Sequence, residues 1–152
     1  MEIRDATPAD AEGIAAIYND AVRHTTAILM EGEVDAASRV AWMQARFALG
    51  YPVLVAATGD RVLGYASFGD FRPFDGFRAT VENSVYVAPG ARGQGIAQLL
   101  LQALIPRAVA CGKHVIVAAI TAENEASIRL HGRAGFVETA RMGQVGQKFG
   151  RW

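Results

Sequence analysis

The sequence has a single cysteine, Cys111, among 152 residues, so no internal disulfide can form. It lies in AVACGK and reads as a small apolar packer near a helix end. Long hydrophobic runs are absent too: no uninterrupted apolar stretch approaches the ~20 residues that span a bilayer. The start, MEIRDATPAD, lacks the apolar h-region of a signal peptide. A cytoplasmic protein without a membrane partner is expected. Neither sign of charge dominates, with 15 basic and 15 acidic side chains, so bulk attraction to nucleic acid is not expected either. Histidine is sparse, and His24 and His114 have no ligand-spaced partners, so no metal site is expected. Repeats, low-complexity tracts and linkers are all missing. One domain over residues 1–152 follows, long enough for a single buried core.

The order of elements is α/β. IRDA (3–6) reads as a short strand; Thr7 offers an N-cap hydroxyl, Pro8 suits the first helical position, and Asp10 favours the positive helix end. Ile14, Ile17 and Tyr18 carry a helix to about Val22. Asp35 caps a second helix with Val40, Met43 and Phe47 on one side and Gly50 as its stop. PVLVAAT and RVLGYASF around Gly59-Asp60 predict a hairpin. GDFRPFDGFR (69–78) is loop chemistry, and TVENSVYV (80–87) is a strand. A helix from Gly95 presents Ile96, Leu99, Leu100, Ala103 and Leu104, is bent at Pro106 and stops at Gly112. HVIVAAI (114–120) reads as a strand covered on both faces, ENEASIRLHGRAGF as a short helix ending at Gly135, and FVETA as a further strand.

RGQGIA (92–97), between a strand and a helix, invites close approach to the backbone. The first N–H groups of a helix lack intrahelical partners and carry the positive end of its dipole. Gly93 and Gly95 open that backbone, Ala97 keeps the first turn slim, and Arg92 adds charge, which together suit a pyrophosphate. A tight strand-to-helix turn without a ligand uses the same glycines. The loop is not a P-loop, because Ile96-Ala97 stand where Lys-Ser/Thr is needed. Nor is it a dinucleotide fingerprint, because Gln98 stands at the third glycine. What remains is Arg/Gln-x-x-Gly-x-Gly/Ala.

With TVENSVYV, RGQGIA, NEASIRLH and its trailing GF, and VGQKFGRW, the whole chain resembles the GNAT family of acyl-CoA-dependent N-acetyltransferases. Within it, the phosphinothricin / methionine sulfoximine branch of L-amino acid N-acetyltransferases is the nearest likeness. The resemblance implies a mostly antiparallel central sheet, splayed at the cofactor site and flanked by helices, in a homodimer. It implies that acetyl-CoA lies along the main chain of Val85, Tyr86 and Val87. Its pyrophosphate would meet the loop of Arg92 and the amides of Gly93, Gln94, Gly95, Ile96, Ala97 and Gln98, and Asn124 the pantetheine arm. Members of this branch continue beyond GRW into a last strand, so a chain ending at Trp152 is expected to leave a sheet edge unpaired.

An α-amine must lose a proton to attack an acyl group. Glu82 is the only acid in TVENSVYV, and alternation places it with Ser84 and Tyr86 on one face, opposite Val81, Asn83, Val85 and Val87. On these residues alone Glu82 is a base or an exposed glutamate on a solvated face; the resemblance makes it the expected general base, and a free strand amide near Val85 to Val87 the expected oxyanion donor. His131 stands where many relatives carry a tyrosine and reads as a candidate acid for the departing thiolate, or as a packed histidine. The resemblance points to Arg72, Pro73 and Phe74, together with Glu82, Asn83 and Ser84, as the acceptor cradle. There Arg72 takes the α-carboxylate, Phe74 and Phe71 form an apolar wall, and Asn83 meets a polar oxygen of the tail. Arg72 and Arg78 are otherwise surface charges beside Asp70 and Asp75. An acceptor of another kind (a polyamine, an aminoglycoside or a protein N-terminus) and a non-catalytic acyl-CoA-binding module are the competing readings.

Overall fold

The structure, a computed structural model, describes residues 1–152. Its elements in chain order are β1 (Glu2–Asp5), α1 (Ala11–His24), α2 (Ala36–Ala48), β2 (Val53–Thr58), β3 (Arg61–Asp70), β4 (Thr80–Val87), α3 (Ile96–Ala110), β5 (Val115–Val117) and α4 (Glu125–Arg133). The five strands form one sheet in the order β1-β2-β3-β4-β5, antiparallel except for the parallel pair β4–β5. This is the α/β class that the element order implies, with the mixed, mostly antiparallel sheet that the resemblance implies.

Helices cover both faces of the sheet. On one face α3 brings in Ile96, Leu100, Leu104 and Ala108 against Leu54, Ala66, Phe68 and Val81. Leu100, Leu101 and Leu104 are fully buried, which contributes on the order of 2 kcal/mol each. On the other face α1 and α2 pack Ile14, Ile17 and Met43 against Val53, Val55 and Tyr65.

Several expectations shift in detail. Pro8 opens a short 3-10 turn (Pro8–Asp10), and α1 then runs on to His24, past Val22. Asp10 is buried and accepts from the N–H and hydroxyl of Thr7 while forming a two-pronged pair with Arg4, at 2.8 Å on each side. That partnership with Arg4 pulls the Asp10 carboxyl below the usual carboxylate range. Asp35 caps α2 as expected, accepting from the Ser38 N–H at 2.7 Å. Phe47, however, is 42% exposed and outside the core, because the inward stripe of α2 runs through Arg39, Met43 and Arg46. Leu99 is likewise turned outward and Leu101 inward on α3, which continues through Pro106 to Ala110.

The largest correction concerns the two C-terminal strands. The run 114–120 pairs with β4 only over Val115–Val117, and Val115 is 42% exposed rather than covered on both faces. FVETA forms no strand: no neighbouring strand pairs with residues 136–140, and Val137 is 80% exposed. A β-rich sequence without a ladder partner stays extended but unassigned.

Candidate active site

β4 is the spine of the site. Its pairing with β3 covers Val81 to Val87, but β5 meets only Thr80 to Glu82 before it diverges. Ala88 N–H donates to the Leu63 carbonyl at 2.8 Å, which makes Val87–Gly64 a non-hydrogen-bonded pair and Tyr86–Tyr65 a hydrogen-bonded one. Tyr86 therefore spends its main-chain groups on β3. Asn83, Val85 and Val87 aim theirs at the gap left by β5. Of the three residues expected to lend main-chain groups to pantetheine, Val85 and Val87 face the gap, and Tyr86 borders it otherwise.

That gap is an open slot lined by β4 from Asn83 to Tyr86, the stretch 118–121 after β5, and Asn124, Ser127 and His131 of the α4 region. The Asn124 carboxamide oxygen caps α4 by accepting from Ser127 N–H at 3.1 Å. Cap and slot-lining roles thus coexist in one side chain. His131 is buried against the slot. Its Nδ1 donates to the Ser127 carbonyl at 2.8 Å, so Nε2 is the acceptor and takes an N–H from Asn83 at 3.0 Å. Burial pushes the imidazole below its usual pKa, consistent with a neutral ring. Asn83 is thereby held on the α4 side of the sheet, away from Glu82, and its Oδ1 is buried with no partner.

At one end of the slot stands the glycine loop. Gly93 and Gly95 take φ of 76° and 77°, and Gly95 is the N-cap of α3. A β-carbon on either would meet nothing within 4 Å, so the space above the loop is open. None of the six amides from Gly93 to Gln98 has a hydrogen-bond partner in the chain; the first bond of the helix is Leu99 N–H to the Gly95 carbonyl at 3.1 Å. Six consecutive free donors at a helix N-terminus form an anion cradle. Arg92 does not add a free charge to it. Its guanidinium pairs with Asp20 of α1 at 2.8 Å and reaches the Val87 carbonyl at 3.3 Å, so it ties the loop to α1.

On the opposite face of β4 lies a second cleft, lined by Tyr18 of α1, Arg39, Trp42 and Arg46 of α2, Tyr65, Ser67 and Phe68 of β3, and Ser84 and Tyr86 of β4. Ser84 and Tyr86 line both clefts, so the two meet across the splayed strand. Glu82 shares the Ser84 face and pairs in register with Gly69. The Arg46 guanidinium fills the space that a β-carbon on Gly69 would take, which sets it beside Glu82. Burial lowers the Arg46 pKa from its ordinary value.

The acceptor loop is less organised around this cleft than expected. Arg72 is exposed, donates to its neighbour's carbonyl on Phe71 at 2.9 Å and stacks on the Phe71 ring at 4.3 Å. Phe74 is 67% exposed. Glu82, Ser84 and Tyr86 are brought together; Arg72, Pro73 and Phe74 stand apart from both clefts. The α2 arginines were missed because charged side chains on a helix read as a solvated face. Their seven-residue spacing, two helical turns, was the available signal.

The profile described as the Acetyltransferase (GNAT) family matches residues 14–136. The chain belongs to the GNAT family of acetyltransferases. Among its relatives, an L-methionine sulfoximine/L-methionine sulfone acetyltransferase of Pseudomonas paraeruginosa is 62% identical over 151 residues, covering 99% of this chain and 88% of the relative. A phosphinothricin N-acetyltransferase of Alcaligenes faecalis is 39% identical over 144 residues, covering 94% and 73%. A solved acetyltransferase from Salmonella typhimurium, crystallised with acetyl-CoA, superposes with a TM-score of 0.97 at 57% identity over 99% of this chain and 87% of that one. No helix here is long and apolar enough to cross a membrane, and no group of three or more His, Cys, Asp or Glu residues is arranged to hold a metal ion.

Proposed function

We propose that this chain acetylates the α-amine of small L-amino acids of the methionine sulfoximine, methionine sulfone and phosphinothricin kind, with acetyl-CoA as donor. The observation that carries the reading is the run of six unpartnered amides, Gly93 to Gln98, continuous with the open main chain of β4. The unpaired Oδ1 of Asn83 inside the slot is a further acceptor suited to an amide N–H, so the residues present fit a pantetheine arm. When bound, acetyl-CoA supplies an activated acetyl group as its thioester.

The protein's part is to hold and deprotonate. The amides of Gly93 to Gln98 hold the diphosphate, with Arg92 fixing the loop, while Asn83, Val85, Val87 and Asn124 hold the arm. The shared walls Ser84 and Tyr86 let an acceptor in the second cleft face the slot, which supports direct transfer in a ternary complex. Glu82, on that acceptor face, takes the proton of the amine. His131 lines the slot; to act as acid for the departing thiolate it must take up a second proton at Nε2, against the effect of burial. Arg72, Pro73 and Phe74 form the outer wall, where Arg72 offers the acceptor's carboxylate an exposed first partner. Two unpaired guanidinium groups in the acceptor cleft speak against polycationic acceptors such as aminoglycosides. A homodimer working in the cytoplasm completes the reading; the exposed Met142, Val145, Phe149 and Trp152 supply apolar surface for a second copy.

The test is thiol release from acetyl-CoA with methionine sulfoximine, methionine sulfone, phosphinothricin and an aminoglycoside as separate acceptors. Turnover is expected with the amino-acid analogues and a fall of about 10²- to 10⁴-fold in kcat for Glu82→Gln. Turnover with the aminoglycoside alone would overturn the acceptor assignment.

A further inference from the structure

The second cleft holds two cations that form no ion pair within the chain. Arg39 and Arg46 lie two turns apart on α2, both partly buried, and neither guanidinium makes an ion pair, although five donors are available on each. The Nε atoms of both are buried without a hydrogen-bond partner. Aromatic rings fix their placement instead: Arg39 lies 4.9 Å from the Tyr18 ring and 5.2 Å from Trp42, and Arg46 lies 5.8 Å from Trp42. Asp70 on β3 accepts from the Tyr51 hydroxyl, and its charge reaches Arg46 without forming an ion pair. Half-buried positive charges without counter-ions are costly, and a full negative charge brought by a ligand offsets that cost.

We infer that Arg46, assisted by Arg39, is the inner binding site for the α-carboxylate of the acceptor. The inference rests on the acceptor class proposed above. Of the groups on methionine sulfone or sulfoximine, only the carboxylate carries a full negative charge at neutral pH, so it is the group that two cations select. A carboxylate bound there places the adjacent α-amine on the Glu82–Ser84 side of β4, where the clefts meet. Trp42, Tyr65 and Tyr86 then supply the apolar wall for the methylene chain. Arg72, stacked on Phe71 in the exposed loop, serves the entrance rather than the bound carboxylate.

The experiment compares kcat/KM for L-methionine sulfone with that for its α-carboxamide, in the wild type and in Arg46→Gln, Arg39→Gln, Arg46→Lys and Arg72→Gln. The wild type is expected to favour the acid. Arg46→Gln should lower kcat/KM for the acid by about 10- to 100-fold, mostly through KM, and for the amide by much less, while Arg46→Lys restores part of the preference. Arg39→Gln should show the same selective loss, smaller in size, and reads the same ratio if Arg46→Gln does not fold. Equal losses for acid and amide in the α2 variants would reduce both arginines to structural roles and overturn the inference. So would a loss of preference confined to Arg72→Gln. A wild type that turns over neither compound, yet acetylates another amine, overturns the acceptor reading itself, an outcome separable from failure of the arginine site alone.

Discussion

Replacing Gly95 by alanine isolates what the anion cradle costs in conformation. Gly95 sits at φ 77°, ψ 1°, and a β-carbon there would meet nothing within 4 Å, so the penalty is torsional rather than steric. A left-handed conformation costs an L-residue about 1–2 kcal/mol. The loop can respond in two ways. If it keeps its geometry, the whole penalty falls on stability, and a chain of this size should lose about 2–8 °C in Tm at 2–4 °C per kcal/mol. If it relaxes instead, Tm holds, but the six amides no longer converge, and the Kd for CoA should rise about 5- to 30-fold. Either way the stability loss and the binding loss together should come to about 1–2 kcal/mol. Thermal denaturation of the free protein and calorimetric titration with CoA measure the two parts separately. Gly90→Ala is the control, since Gly90 has open space and no positive φ. A Gly95→Ala protein with both Tm and CoA affinity unchanged would refute the reasoning, because the loop would then need no left-handed residue.

Acidification gives a second test. The folded pKa of His131 lies below its ordinary 6.5, so the unfolded chain binds the proton first and stability falls as pH drops below about 6.5, by at most ~1.4 kcal/mol per pH unit. Chemical denaturation between pH 7 and 5 should show this slope in the wild type and a flatter one in His131→Gln. Asp10 acts in a lower window. With its folded pKa depressed by Arg4, its contribution is present above the unfolded value of 3.8 and is lost as pH falls through the folded one, so Asp10→Asn should flatten only the most acidic limb. Asn124→Ala removes both a helix cap and a slot-lining amide. Loss of the cap should cost about 1 kcal/mol, a Tm fall of roughly 2–4 °C, and KM for acetyl-CoA should rise while KM for the acceptor stays put.

Local signals in the chain account for most of the architecture. The Asp35 cap, the Gly59-Asp60 turn, the Gly95 helix start and the Gly135 stop all act within a few residues of themselves, and each element they delimit is where the pattern puts it. The parity of TVENSVYV sorts Glu82, Ser84 and Tyr86 from Asn83 in the same direct way. What escaped the sequence was long-range. HVIVAAI is apolar over six of its seven residues, yet only three pair, because the length of a ladder depends on where two strands diverge. That divergence is what leaves the main chain of Asn83, Val85 and Val87 without a strand partner on that side. Similarly, Arg92 looks like a phosphate ligand until Asp20, 72 residues away in sequence, folds against it.

The α2 stripe failed for a different reason. Hydrophobic periodicity assigns inward positions to apolar residues, so it chose Phe47 and left Arg39 and Arg46 to solvent. The fold does the reverse, leaving Phe47 substantially exposed and turning Arg46 in over Gly69. Swapping an apolar side chain for an unpaired guanidinium at an inward position lowers stability on both counts: burial is lost and a charge is desolvated. Stacking on Tyr18 and Trp42 offsets part of that loss, but no acid of the chain forms an ion pair with either arginine. A carboxylate brought by the acceptor supplies the ion pair that the chain does not make. Glycine at position 69, where any β-carbon would displace the Arg46 guanidinium, keeps the space for that arrangement open. A local rule broken at a net cost in stability is the mark of a site shaped for a ligand, and here it falls on the strand face that carries Glu82.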